Sequence, residues 1–287
     1  RSRHTATWTG DRMLVWGGQN DERQVLGDGA AYDPVTHTWT PLPGTGAPSA
    51  RADHGAAWTG SELFVWGGAD APGPLGDGAL FDVARGTWRV VSAAAAPSPR
   101  AAPSVVATQA LDVAQRPAAG GARSSESAIV VWGGTPLDPS GGVYVPALDA
   151  WRPMSTDGAP VPRRAHAALW TGQELIVWGG FGPPGPFAKA LDTGGRYDPV
   201  TDTWRSTSLV QAPFRRTYPS AVWTGSEMLI WGGVSAPGSG YTASRPDRSL
   251  RAGLGSSQAV PACYAPASAI PLSSAADSST RTGTNDG

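Results

Sequence analysis

The chain has 287 residues, a net charge of −1 and only 16% charged residues, so no basic surface argues for nucleic acid or an anionic membrane as partner. Its one cysteine, Cys263, excludes an intramolecular disulfide and a multi-cysteine zinc site. No apolar run approaches the roughly 20 residues of a membrane-inserted helix. 

In chain order, the first unit opens with an alternating stretch, HTATWT, which predicts a half-buried strand. Gly10 then stands where a tight type II′ hairpin needs positive φ, as do Gly60, Gly172 and Gly225 in later units. MLVWGG follows, a continuous apolar run suited to a second strand buried on both faces; its glycines let backbone or a ring approach closely. A variable loop leads to a third strand, GAAYD, and to the turn DPVT, whose Asp-Pro start fits a type I turn. The fourth strand carries a tryptophan, and no helix is predicted.

The phrase returns as WTGSELFVWGG from 58, WTGQELIVWGG from 170 and WTGSEMLIWGG from 223, with a blunter SAIVVWGG from 127. The threonines closing the first strands (Thr9, Thr59, Thr108, Thr171, Thr224) are 50, 49, 63 and 53 residues apart, and the longest interval holds the loop-like insertion QALDVAQRPAAGGARSSES. All 13 tryptophans obey the repeat. Trp8, Trp58, Trp170 and Trp223 end first strands, and Trp16, Trp66, Trp132, Trp178 and Trp231 precede the glycine pair. Trp39, Trp88, Trp151 and Trp204 lie seven residues after Tyr32, Phe81, Tyr144 and Tyr197. Four-stranded units at this period predict propeller blades, repeated because one blade cannot bury its own faces.

An apolar strand ending in Gly-Gly, then Tyr, then Trp seven residues on, resembles the kelch repeat. WTGSEMLIWGG and YDPVTDTW look most like bacterial kelch-type propellers related to the central domain of galactose oxidase. The expected fold is an all-β, kelch-type β-propeller with four complete repeats and an incomplete fifth, starting near 1, 51, 100, 163 and 216 and spanning 1–244. Residue 1 is an arginine inside a repeat, so the sequence is expected to begin part-way through a longer product. Residues 245–287, low in complexity and without tryptophan, are expected to be a disordered or aberrant tail. The resemblance implies secretion, the periplasm or the cell surface as location.

Kelch-like propellers are mostly interaction modules, but some are copper radical oxidases or sialic acid mutarotases, so function rests on the site. The oxidase reading fails because Cys263 lies outside the blades. His4, His54 and His166 share one repeat position, filled by Pro103 and Pro219 elsewhere, and read as structural. Arg1, Arg51, Arg100, Arg163 and Arg216 recur eight residues before the closing threonine. They could offer guanidiniums to an acidic ligand, but the favoured reading is that each ties its strand to the preceding blade through loop carbonyls. Asp28, Asp77, Asp33 and Asp198 read as turn formers. No metal or cofactor is expected.

The loops between second and third strands differ from unit to unit, and there Arg23, Asp70, Phe181, Phe187 and Lys189 are candidate partner contacts, the two phenylalanines as anchors. The sequence thus points to a non-enzymatic module binding a protein or glycan through that loop face. A sugar-active propeller enzyme, mutarotase-like or lyase-like, and an architectural surface repeat are the alternatives.

Overall fold

A computed structural model of the chain describes residues 1–108, 127–183 and 190–235. The insertion after Thr108, Phe187, Lys189 and the predicted tail lie outside the described residues. Blade 1 is β1 (Thr5–Trp8), β2 (Met13–Trp16), β3 (Gly29–Asp33) and β4 (Thr38–Pro41). Blade 2 is β5 (Gly55–Trp58), β6 (Glu62–Trp66), β7 (Gly78–Asp82) and β8 (Thr87–Val90). Blade 3 is β9 (Ser104–Ala107), β10 (Ile129–Trp132), β11 (Gly141–Val145) and β12 (Ala150–Pro153). Blade 4 is β13 (Ala167–Trp170), β14 (Leu175–Trp178), β15 (Gly194–Asp198) and β16 (Thr203–Ser206). A last sheet holds β17 (Ser220–Trp223) and β18 (Met228–Trp231), so the described residues form four full blades and half of a fifth.

Every blade is an antiparallel meander in chain order, and the first strands of successive blades are neighbours. The hairpin glycines have the expected positive φ, and the Asp-Pro turns close on their aspartates. Gly10, Gly60, Gly172 and Gly225 have φ of 101–112°, and Thr9 N–H donates to the Arg12 carbonyl across the first turn. Asp33 Oδ1 accepts the amides of Val35 and Thr36, and Asp198 Oδ1 those of Val200 and Thr201. In blade 3 the expected Asp-Pro turn is replaced by a 3-10 turn, Pro146–Leu148, where Val145-Pro146 stands in the sequence. Asp149 then takes the left-handed conformation that returns the chain, at the position held by His37, Gly86 and Asp202 elsewhere.

The core lies between blades. Trp16 of blade 1 meets Trp88 of blade 2 with ring centroids 6.0 Å apart; Trp66 meets Trp151 at 5.4 Å and Trp132 meets Trp204 at 5.3 Å. Each fourth-strand indole also reaches back: Trp88, Trp151 and Trp204 donate from Nε1 to the carbonyls of Pro43, Ser92 and Ser155 in the segment leaving the blade before. Four apolar clusters follow the four joints, so blades 2, 3 and 4 each supply one wall of two cores.

Candidate binding face

One feature of the joints sets the geometry of the face. The repeated arginine uses its backbone and its side chain in different directions. Arg51 donates its amide to the Leu26 carbonyl and accepts the Gly18 amide, both in blade 1. Its guanidinium turns into its own blade, donating to the carbonyls of Gly67 and Asp77, with Asp77 Oδ2 at 2.9 Å. Arg100 binds the Gly133 and Ser140 carbonyls, and Arg163 those of Gly179 and Thr193. The expected tie to the preceding blade is therefore made by main chain. The side chain is too deep, and its own second-to-third-strand loop offers the nearer carbonyls. Asp28 and Asp77 likewise are not turn formers: their carboxylates pair with Arg1 and Arg51.

These guanidiniums are occupied from within. Arg51, Arg100 and Arg163 are fully buried, and burial lowers the pKa of Arg100 and pushes Arg163 down to about 10, still cationic at neutral pH. No face is left to receive an acidic ligand.

The repeat histidines join blades. His54 Nε2 lies 2.8 Å from Thr5 Oγ1 in the preceding blade, and His166 Nε2 lies 2.7 Å from Ser104 Oγ. Where the following blade has proline instead, at Pro103 and Pro219, the facing residue is Gly55 or Ala167 and no hydroxyl stands there. His166 and Ser104 border a groove of about 290 Å³ along the inner strands of blades 3 to 5, with Ala167, Pro219 and Ala221. A Ser–His contact in a groove invites comparison with a nucleophile and its base, but the chemistry is unsuited. Burial, then the charge of Arg163, pushes His166 down to about 3, and Nδ1 finds no hydrogen-bond partner to orient the ring. A general base needs a pKa near the working pH. The same contact at Thr5–His54 marks it as part of the joint. Among the described residues no three His, Cys, Asp or Glu side chains gather to hold a metal ion.

The variable loops sit where second strands end. Phe181 bridges Arg164 and Ala190 through its backbone, and Arg164 places its guanidinium 5.6 Å above the Phe181 ring. Phe181 is half-buried rather than free. Asp70 turns its carboxylate back on the Gly73 amide and closes its own turn. Arg23 is exposed, with φ of 62°, in a turn held by Asn20 and Gln24. Arg23, Asp70 and Phe181 occupy corresponding loops of blades 1, 2 and 4 and do not form one cluster.

A second set of residues on this face was not singled out in the sequence. Arg3, Asp53, Ala102, Ala165 and Tyr218, two positions after each repeated arginine, all have left-handed φ between 50 and 57°. Their main chains run together: Asp53 N–H donates to Arg3 O, Ala102 to Asp53 O, and Tyr218 to Ala165 O. Constant backbone here carries changing side chains. Arg3 forms an ion pair with Asp53, while Tyr218 is 67% exposed beside blade 4. Phe214 is also exposed, with the Arg215 guanidinium 5.3 Å from its ring. The signal was present as a position that varies while its surroundings repeat, but only the structure shows that it faces solvent.

Residues 1–113 match the family model described as the KLHDC2/KLHL20/DRC7 Kelch-repeats domain. No curated protein matches the chain at a significant level. Among the described residues no helix is long and apolar enough to cross a membrane, which says nothing of β-barrels.

Proposed function

The chain is a kelch-repeat β-propeller protein, and from that premise we propose that it is a non-enzymatic module that binds another protein through the face formed by its second-to-third-strand loops and blade-entry segments. The carrying observation is the contrast on that face. Arg51, Arg100 and Arg163 are buried and saturated by carbonyls, whereas the left-handed position two residues after each repeated arginine presents Arg3, Asp53, Ala102, Ala165 and Tyr218 in turn. A scaffold that keeps its backbone and varies its exposed side chains suits recognition better than one conserved reaction. Blades 4 and 5 supply the richest part, with aromatic rings of Phe181, Phe214 and Tyr218 beside Arg164 and Arg215, the residue types that anchor protein interfaces.

The test is site-directed photocrosslinking with the reactive group at Tyr218 or at Val35, which lies on the opposite face and is 85% exposed. Crosslinks to a discrete protein from position 218, lost in an Arg164→Ala and Phe214→Ala background, support the reading. Equal labelling from both positions, or labelling by a glycan probe alone, overturns it.

A further inference from the structure

One arginine in the blade joints lacks the partner that its counterpart has. On blade 2, Arg89 of β8 donates from Nε and Nη2 to the two oxygens of the Glu62 carboxylate, each at 2.9 Å. The same guanidinium reaches the Pro146 carbonyl and Tyr144 Oη of blade 3. Arg152 of β12 holds this position on blade 3. It pairs with Val143 across the ladder as Arg89 pairs with Leu80. Burial and the Asp202 contact raise the pKa of Tyr197 in blade 4, and the nearby charge of Arg152 opposes them. Nε and Nη2 of Arg152, the two atoms that Arg89 gives to Glu62, are buried and meet no hydrogen-bond partner. The reason lies four residues before the second-strand tryptophan, where blades 2 and 4 have Glu62 and Glu174 but blade 3 has Ala128. The main chain there does not differ. Thr108 Oγ1 accepts the Ala128 amide and donates to its carbonyl, as Thr59 Oγ1 does with Glu62.

A buried guanidinium edge without an acceptor is costly, and a carboxylate is the shape that such an edge fits. Blade 4 makes no such demand, because Glu174 pairs with Arg196, and Arg205, at the position of Arg89, is exposed. We propose that Arg152 binds a small carboxylate, of the size of acetate, in the place that the Glu62 carboxylate fills in blade 2. Acetate is the part of a glutamate side chain that alanine lacks, and Val143 takes less of the space than Leu80 does. Ala128 is fully buried while Arg152 is only partly so; the ligand therefore enters along the arginine, and a longer acid finds no room. Asp202 faces the site from blade 4, held by Tyr197 Oη, as Asp149 is held by Tyr144 Oη beside Arg89 and Glu62. An acid at that place is thus compatible with a second carboxylate on the arginine. The site lies on the face of the third-to-fourth-strand turns, opposite the variable loops, so it stands independently of the proposed binding function.

Isotope-labelled acetate, titrated with the full chain and followed by NMR line width, tests this, with urea midpoints in sodium acetate and sodium chloride at equal ionic strength. Wild type is expected to broaden the acetate signal saturably and to unfold at a higher urea concentration in acetate than in chloride. Arg152→Met removes the donors and Ala128→Glu supplies the carboxylate from within. Each is expected to weaken acetate binding about tenfold or more, as loss of charge-assisted hydrogen bonds does. Glu62→Ala gives blade 2 the arrangement of blade 3 and is expected to add a second equivalent of bound acetate. Should Ala128→Glu fail to fold, Arg152→Met and Glu62→Ala decide the matter. A wild type that responds no more than Arg152→Met overturns the proposal, whether water or residues 109–126 of the chain meet the guanidinium. Chloride acting as strongly as acetate overturns it too, as does a folded Glu62→Ala that binds no additional acetate.

Discussion

The Nε2 atom of His166 lies 2.7 Å from the Oγ of Ser104, across the joint between blades 3 and 4. The contact fills the space opened by a glycine, because a Cβ on Gly133 would sit 2.5 Å from His166 Cε1. The first glycine of the pair, the hydroxyl residue and the histidine are therefore one device for seating a blade, used again at Gly17, Thr5 and His54.

That device predicts acid sensitivity. Burial, reinforced by neighbouring arginines, holds His54 and His166 at about 3, against 6.5 for an ordinary histidine. Between those values the unfolded chain binds protons that the folded chain refuses, so stability falls as pH drops below 6.5 and is full above it. Urea midpoints are expected to be lower at pH 5 than at pH 7.5. A His54→Gln, His166→Gln double variant is expected to lose most of that difference; a profile parallel to wild type would show that other groups carry it.

The buried guanidiniums predict a second contrast. Arg163 donates to the carbonyls of Val161, Gly179 and Thr193, and Arg163→Met removes all three bonds, leaving the Thr193 carbonyl only the Gly179 amide. Each unsatisfied buried group costs about 1–3 kcal/mol, so a loss of about 3–5 kcal/mol is expected in urea unfolding at pH 7.5. Arg1→Met, at the same repeat position but with an exposed guanidinium and its partner Asp28 in solvent, is expected to cost less than about 1 kcal/mol. Equal losses would mean that the interaction pattern, and not burial, sets the energy.

Why the fold was legible and the face less so follows from these examples. Trp16, Trp66, Trp132 and Trp178 are buried in equivalent joints, so the same packing demand wrote the same letters four times. The arginines repeat for the same reason, yet the sequence could not tell which carbonyls they reach, since main chain and loop of two blades lie equally close in the repeat. Phe181 looked free because its loop is rich in glycine and proline, but its backbone pairs with Arg164 across a bridge between distant segments. Tyr218 was hidden for a further reason: a non-glycine residue at positive φ leaves no compositional mark when the surrounding main chain imposes it.

Asp149 offers a test of that imposed geometry. Its carboxylate accepts from Tyr144 Oη at 2.6 Å and from the Ser92 amide in the segment arriving from blade 2, while its own φ is 45°. Desolvation, then this contact, raises the Tyr144 pKa above its ordinary value. Asp149→Gly relieves the backbone but deletes both hydrogen bonds, whereas Asp149→Asn keeps an acceptor and tolerates the left-handed region. Asn is expected to remain within about 1 kcal/mol of wild type and Gly to lose about 2 kcal/mol in urea unfolding. The reverse order would show that strain, not the Tyr144 and Ser92 contacts, dominates this turn.

The last prediction compares one residue type at one repeat position. Trp178 is fully buried between blade 4 and the half-blade, with Ala167, Leu169, Met228 and Ile230 in its cluster. Trp231 occupies the same place in the next unit with most of its surface open. Truncating a buried tryptophan removes its transfer energy and leaves a cavity, about 3–5 kcal/mol in total. Trp178→Ala is therefore expected to fall in that range by urea unfolding. Trp231→Ala removes a ring that water already reaches and is expected to cost under about 0.5 kcal/mol. A large loss for Trp231→Ala would mean that position in the repeat, and not burial, sets the cost of losing this ring.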